Sequence, residues 1–225
     1  MNSLDIRAFR STVLAAIAMA ALLFVPAGTL GYWQAWVFVA VFTGASSAIG
    51  IYLALKDPEL LERRMQVGPA AEKEKTQKII MSFAMAGFVA LLMIPAFDHR
   101  FGWSKVPPYV ALAGDALVAL GFFLTFLVLK ENSYSASTIQ IVEGQKVIST
   151  GPYAIVRHPM YAGALVLLVG MPLALGSWWG LCVLLFIVPV LVWRLLDEER
   201  LLKKELPRYV EYSQKVPYRL VPYLW

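Results

Sequence analysis

Long apolar runs, broken by short polar stretches, set the pattern of this chain. No Asp, Glu, Lys or Arg occurs from Ser11 to Leu55, within 79–97 or within 159–193, and 106–129 carries only Asp115. A spanning helix needs about 20 mostly apolar residues to cross roughly 30 Å of hydrocarbon, so these runs read as membrane spans. Breakers divide them. Pro26, Gly28 and Gly31 separate a span at about 11–27 from one at 33–55. A third fits 79–97, between Lys78 and Asp98-His99-Arg100, and Pro107-Pro108 opens a fourth at 108–130. The stretch 159–196 has room for a helical hairpin turning at Gly176-Ser177. Its first arm is short and carries Pro172, which predicts a tilted, kinked or partly inserted helix. The expected fold is all-α: a polytopic membrane helix bundle of five or six spans.

Arg7 and Arg10 precede the first apolar run as they would in a signal peptide. The length of that run, and a second apolar segment behind it without a convincing cleavage site, predict a retained span instead.

Charge then gives the chain a direction. With six crossings both termini share one side, and that side holds Arg7, Arg10 and every Lys or Arg of 56–78, of 130–157 and from Arg194 onward. The opposite side holds only Arg100 and Lys105. Basic residues concentrate in cytoplasmic loops, so the termini, the loop 56–78, the segment 131–158 and the tail are expected in the cytoplasm. The same distribution explains the net charge of +5 without a nucleic-acid partner; the expected partner is the lipid bilayer. Trp33, Trp36, Trp103, Trp178 and Trp179 fall near the far-side span ends and read as an aromatic belt. Cys182 is the only cysteine, which excludes a disulfide framework or a cysteine metal cluster and predicts a buried structural thiol; no metal site is expected. Within 56–78, KDPELLERRMQ reads as an amphipathic surface helix, with no catalytic part assigned to Glu59, Glu62 or Arg63.

Candidate chemistry gathers where spans meet that basic side. In GPYAIVRHPMYAG, residues 151–163, Pro159 suits a first helical position, placing Arg157 and His158 just outside the helix and Tyr161 and Gly163 in its first turn. Gly163 permits close approach of a backbone or a ligand, and the free N–H groups there favour an anion. In WRLLDEERLLKKEL, Arg194 and Glu198 stand four apart, on one helix face. Each element alone reads as an interface anchor. Together they gain meaning, because the hairpin returns the Arg194–Glu198 end to the surface that bears Arg157 and Tyr161.

The ordered set Gly151-Pro-Tyr153, Arg157-His158-Pro159-Met160-Tyr161-Ala-Gly163, Arg194, Glu198-Glu199 and the tail RYVEYSQKVPYRLVPYLW resembles the isoprenylcysteine carboxyl methyltransferase family. That superfamily also includes phospholipid N-methyltransferases. The likeness covers roughly residues 130–225, and the first four spans match only as generic hydrophobic helices. It implies a membrane enzyme that uses S-adenosylmethionine, with S-adenosylhomocysteine as product, in a cytoplasmic pocket. Carried over by position, Tyr153, His158, Pro159, Met160 and Tyr161 line the cofactor and Glu198 grips its polar end. Gln145, Lys146, Val147 and Ile148 match a segment that contacts it through the backbone, and Gln140 matches a cofactor-binding Gln across a small gap. Arg194 falls where the family places the ligand of the substrate carboxylate, which makes it the expected catalytic residue.

The physics of the cofactor agrees with these roles. It carries a sulfonium, an ammonium and a carboxylate, so Glu198 suits the ammonium, Arg157 or helix-start N–H groups the carboxylate, and Tyr rings the sulfonium. A carboxylate acceptor is ionised at neutral pH and needs no general base. An amine acceptor does need one, and His158 or Glu199 are the candidates; Glu199 is also assigned to the substrate. The expected organisation is an N-terminal part, 1–130, and a methyltransferase core, 131–225. The core holds a cofactor-binding segment at 138–163, the hairpin at 159–196 and a tail at 197–225. The acceptor is expected to be a lipophilic small molecule or a lipidated chain. Two other classes remain open. A nicotinamide-dependent sterol-type reductase carries a similar R-H-x-N-Y-x-G element, where this chain has Met160, and a non-enzymatic membrane component would retain the scaffold alone.

Overall fold

The computed structural model describes residues 3–225, so positions 1 and 2 of the expected N-terminal part lie outside the described residues. Four long helices come first or flank the loop: α1 (Ser3–Ala27), α2 (Trp33–Lys56), α4 (Lys75–Phe101) and α5 (Pro108–Glu131), with the short α3 (Pro58–Met65) between α2 and α4. The second half holds α6 (Pro159–Ala174), one turn α7 (Trp179–Cys182), α8 (Leu184–Glu205) and α9 (Tyr209–Lys215). No strand occurs among the described residues.

Five helices have the length and apolarity to cross a bilayer: Leu4–Ala27, Trp33–Lys56, Lys75–Phe101, Pro108–Glu131 and the nearly continuous Trp179–Glu205. At 1.5 Å rise per residue, the 16 residues of α6 reach only about 24 Å, short of the roughly 30 Å core. The short arm anticipated from Pro172 is therefore present, and it still reaches the far end of the bundle, where the Tyr32 hydroxyl donates to the Leu175 carbonyl just beyond it. The hairpin also runs further than 196: α8 continues to Glu205, so Glu198 and Glu199 stand on a helix and not in a tail.

What makes α6 fit is a seam of glycines. Gly114 and Gly121 of α5 face Gly163 and Gly170 of α6 across direct backbone contact. A Cβ on Gly114 would lie 2.1 Å from the Ala174 nitrogen, and one on Gly170 would lie 2.8 Å from the Gly114 carbonyl oxygen. Small residues let helices approach this closely inside a bilayer, where lipid gives no hydrophobic drive to associate. Gly163 thus meets a backbone, and not a ligand.

The core runs through Leu23, Tyr32, Phe38, Leu91, Met171 and Leu175, each shielded from solvent. At the far end, buried Asp98 accepts from the Ser104 N–H and hydroxyl, both at 2.6 Å, and from the Ser177 hydroxyl. This fixes the hairpin turn, where Gly176 has φ +69, against the end of α4. Cys182 is exposed, which corrects the buried thiol expected above: it ends the single turn α7, with its side chain on the surface of the bundle. Asp115 is buried, with 5% of its surface exposed.

The other end of the bundle is tied together by charge. Arg7 pairs with Glu62 at 3.0 Å, while Arg63 and Arg64 donate to the carbonyls of Ser133 and Ser135. Asp57 caps α3 by accepting from the Leu60 N–H, and Leu60 and Leu61 turn inward onto Leu53 and Leu129. The amphipathic helix expected over KDPELLERRMQ is therefore present, and the 56–78 loop closes over the 132–158 segment.

Candidate functional site

At that charged end a cavity of about 380 Å³ opens between segment 132–161, the last turns of α8, α9 and the start of α4. Its volume falls in the usual range for small-molecule sites, about 300–1,000 Å³. Gln140, Gln145, Lys146, Val147 and Ile148 line one wall; Tyr153, Arg157, His158, Pro159, Met160 and Tyr161 line a second; Arg194 and Glu198 approach from α8. Of the residues assigned to cofactor or substrate from the sequence, Glu199 alone does not line it.

The sequence produces this convergence locally. Pro159 starts α6, and the backbone N–H groups of Arg157 and His158 donate to the carbonyls of Tyr218 and Arg219, so the tail lies along the motif. The turn at Gly176 brings α8 back, and the Tyr161 hydroxyl donates to Glu198. The Tyr212 hydroxyl donates to the Tyr153 carbonyl at 2.7 Å, and Asn132 donates to the Tyr153 hydroxyl at 2.8 Å.

Two placements differ from expectation. Arg157 was assigned to a ligand carboxylate, yet its Nη2 pairs with Glu199 at 2.8 Å and its Nη1 donates to the carbonyls of Val216 and Pro217. Those contacts pin the tail. Its Nε is buried and without a hydrogen-bond partner among the described residues. Glu199, assigned to the substrate, is 2% exposed and sits among Arg157, Arg219 at 2.7 Å and Lys203 at 3.4 Å. Three cations claim it because they converge on one buried acid, and burying a charge demands such pairing.

Arg194 carries more partners than the sequence indicated. Its Nη2 donates to Glu72 at 2.7 Å and to the Ser137 carbonyl at 2.9 Å, and its Nη1 donates to Gln77 at 3.1 Å. Glu72, Gln77, Arg64 and Asn132 escaped sequence reasoning. Glu72 and Gln77 sit in the charged loop and the first turn of α4, where no spacing links them to a residue more than a hundred positions away. Tyr209 and Tyr212 also line the cavity; their i, i+3 spacing in the Tyr-rich tail was the available signal.

Protonation states follow from burial. His158, 4% exposed, is held down to about 4, chiefly by burial and further by Arg157, Arg219 and Lys203, with Glu199 opposing. It is neutral at physiological pH. Burial raises the hydroxyls of Tyr153, Tyr209 and Tyr212, with nearby acids or phenols adding to it, so all three stay protonated and able to donate. The site therefore presents neutral aromatic donors around one carboxylate, Glu198, with Arg64, Lys146, Arg157 and Arg194 as the cations of its lining. Apolar lining comes from Val67 of the 56–78 loop and from Met81, Ala84, Ala164 and Leu191, which lie on α4, α6 and α8 one or more turns further into the spans than Gln77, Tyr161 and Arg194.

Comparison with known proteins agrees with this geometry. Residues 109–208 match the phospholipid methyltransferase family. Over 158 residues, 65% of this chain and 78% of the relative, the chain is 30% identical to protein-S-isoprenylcysteine O-methyltransferase B of Arabidopsis thaliana. Over 91 residues, 39% of this chain, it is 32% identical to a Delta(14)-sterol reductase of Mus musculus, and it spans only 22% of that protein. The chain belongs to the family of integral, multi-pass membrane methyltransferases that contains the isoprenylcysteine and phospholipid enzymes.

Proposed function

We propose that this protein transfers a methyl group from S-adenosylmethionine to a lipophilic acceptor, the carboxylate of a prenylcysteine-like molecule. The observation that carries the reading is the single cavity in which Tyr161 and Glu198 meet at one end while an apolar arm leads into the bundle from Arg194. S-adenosylmethionine supplies, when bound, an already activated methyl carbon on sulfur.

The residues present fit such a ligand. Glu198 offers acceptors for an ammonium, the lining cations Lys146 and Arg157 suit a carboxylate, and Tyr153, Tyr161, Tyr209 and Tyr212 offer π-faces for a cation. Gln140 and the Gln145–Ile148 segment supply polar and backbone groups to the same wall. Arg194 is the candidate catalytic residue. Its guanidinium reaches the cavity between the polar end and the apolar arm, where it can hold an acceptor oxygen in line by hydrogen bonds.

Acceptor chemistry is where the two family activities divide. An ionised carboxylate oxygen needs no proton removed. N-methylation of an amine needs a base, and the two candidates are poorly suited: Glu199 lies off the lining and among three cations, and His158 is too weak a base at about 4. That favours the carboxylate. The membrane orientation in this reading places both termini and the cavity in the cytoplasm, supported by the skew of Lys and Arg. The segments 131–225 form the methyltransferase core, completed by the 56–78 loop.

The test offers radiolabelled S-adenosylmethionine with an S-farnesylcysteine carboxylate and, separately, with phosphatidylethanolamine vesicles. Base-labile methyl ester from the first and no product from the second is the expected result. Methylated lipid amine alone contradicts the acceptor assignment.

A further inference from the structure

Arg194 enters the cavity with its charge already answered. Glu72 has no exposed side-chain surface, and its Oε1 accepts from Arg194 Nη2 at 2.7 Å. Its Oε2 takes the Ile139 N–H at 3.3 Å. Gln77 accepts from Arg194 Nη1 and donates its amide to Asp197, so its orientation is fixed from both ends. Neither Glu72 nor Gln77 lines the cavity, whereas Arg194 does: the guanidinium is gripped from behind, has Tyr161 as its neighbour on the cavity side, and keeps part of its N–H edge for an acceptor.

That arrangement bears on rate as well as on geometry. In carboxyl methylation the acceptor oxygen forms a bond to the methyl carbon while the carbon–sulfur bond breaks and its electron pair stays on sulfur; no proton moves. The negative charge of the acceptor and the positive charge of the sulfonium both vanish along the way. A bare guanidinium beside the acceptor would therefore stabilise the starting carboxylate more than the transition state, tightening binding and slowing transfer. Hydrogen bonds from a neutralised guanidinium keep the orientation with less of that penalty.

We propose that Glu72 is a positioning residue that neutralises Arg194, so that the guanidinium aligns the acceptor carboxylate without holding its charge. The inference rests on the carboxylate reading above.

The experiment uses the detergent-purified full chain and N-acetyl-S-farnesylcysteine as the probe. Equilibrium binding of the probe is measured without cofactor, and the single-turnover rate is measured at saturating probe and S-adenosylmethionine. Glu72→Gln, which removes the charge at constant shape, is expected to bind the probe at least threefold more tightly and to react at least threefold more slowly. Glu72→Asp, which keeps the charge, should return both quantities to within twofold of wild type. A loss of fold alone would weaken binding, so the opposed changes report the charge. Unchanged or weakened binding in Glu72→Gln overturns the proposal. The wild type gives a second reading that depends on no variant: it should bind the carboxylate and the corresponding carboxamide within tenfold of each other. A preference of a hundredfold or more for the carboxylate would mean that Arg194 acts as a full charge. If the wild type methylates phosphatidylethanolamine vesicles and leaves the farnesylcysteine carboxylate untouched, the acceptor assignment falls and takes this inference with it. If the carboxylate is methylated and the Glu72 results go the other way, only the inference falls.

Discussion

The Tyr161 hydroxyl donates a hydrogen bond to Glu198 and so joins the first turn of α6 to the last turns of α8. The glycine seam sets α6 in direct backbone contact with α5 and so fixes where its first turn meets α8. Helix packing, the hairpin and the site are thus one construction. Removing the hydroxyl should cost about one net hydrogen bond to a charged group, roughly 1.5–3 kcal/mol. Tyr161→Phe is expected to lower the melting temperature in detergent by several degrees and to weaken binding of S-adenosylhomocysteine, measured by titration calorimetry.

The seam itself can be tested with two glycines. A Cβ at Gly114 would lie 2.1 Å from backbone of α6, while one at Gly44 would meet nothing within 4 Å. Gly114→Ala must shift a helix, and overpacking of this kind costs about 1–3 kcal/mol or more. Gly44→Ala should be neutral or stabilise by up to about 1 kcal/mol through helix propensity. Thermal denaturation in detergent compares the two directly.

Glu199 holds the tail by bridging Arg157 and Arg219. Removing one partner of a buried pair leaves an uncompensated charge, at a cost of about 3–5 kcal/mol. Glu199→Ala is expected to lower the melting temperature and to make the tail beyond α9 sensitive to limited proteolysis. The double variant Glu199→Ala/Arg157→Met should recover part of the loss, because no buried charge is then stranded.

How much of this was legible in the sequence depends on the range of the interaction. The spans followed from charge-free runs with Pro and Gly at their ends, since lipid forces every backbone group into a helix. Tyr153, His158, Tyr161, Arg194 and Glu198 stood in spaced elements that a single hairpin brings together. Glu72 and Gln77 did not, because their partner Arg194 is reached only through the packing of α4 on α8. Charge alone did not reveal that Arg157 and Glu199 pair with each other, since that contact needs the fold of the tail.

His158 makes stability depend on pH. Burial lowers its folded-state pKa from the ordinary 6.5 to about 4. Above 6.5 the ring is neutral folded or unfolded and contributes nothing to the balance. As pH falls below 6.5 the unfolded chain takes up the proton first, so stability declines, by about 3 kcal/mol in all by the time pH nears 4. The melting temperature should drop between pH 7 and pH 5, and His158→Asn should flatten that slope.

The central claim is that distant segments of this chain build one S-adenosylmethionine site around Glu198. Calorimetric titration of the detergent-purified protein with S-adenosylhomocysteine tests it most directly, with NADPH titrated in parallel and Glu198→Gln as the control. The account predicts saturable binding of S-adenosylhomocysteine, none of NADPH, and at least a hundredfold weaker binding in the variant. Binding of NADPH instead, or equal affinity for S-adenosylhomocysteine in wild type and Glu198→Gln, would contradict it.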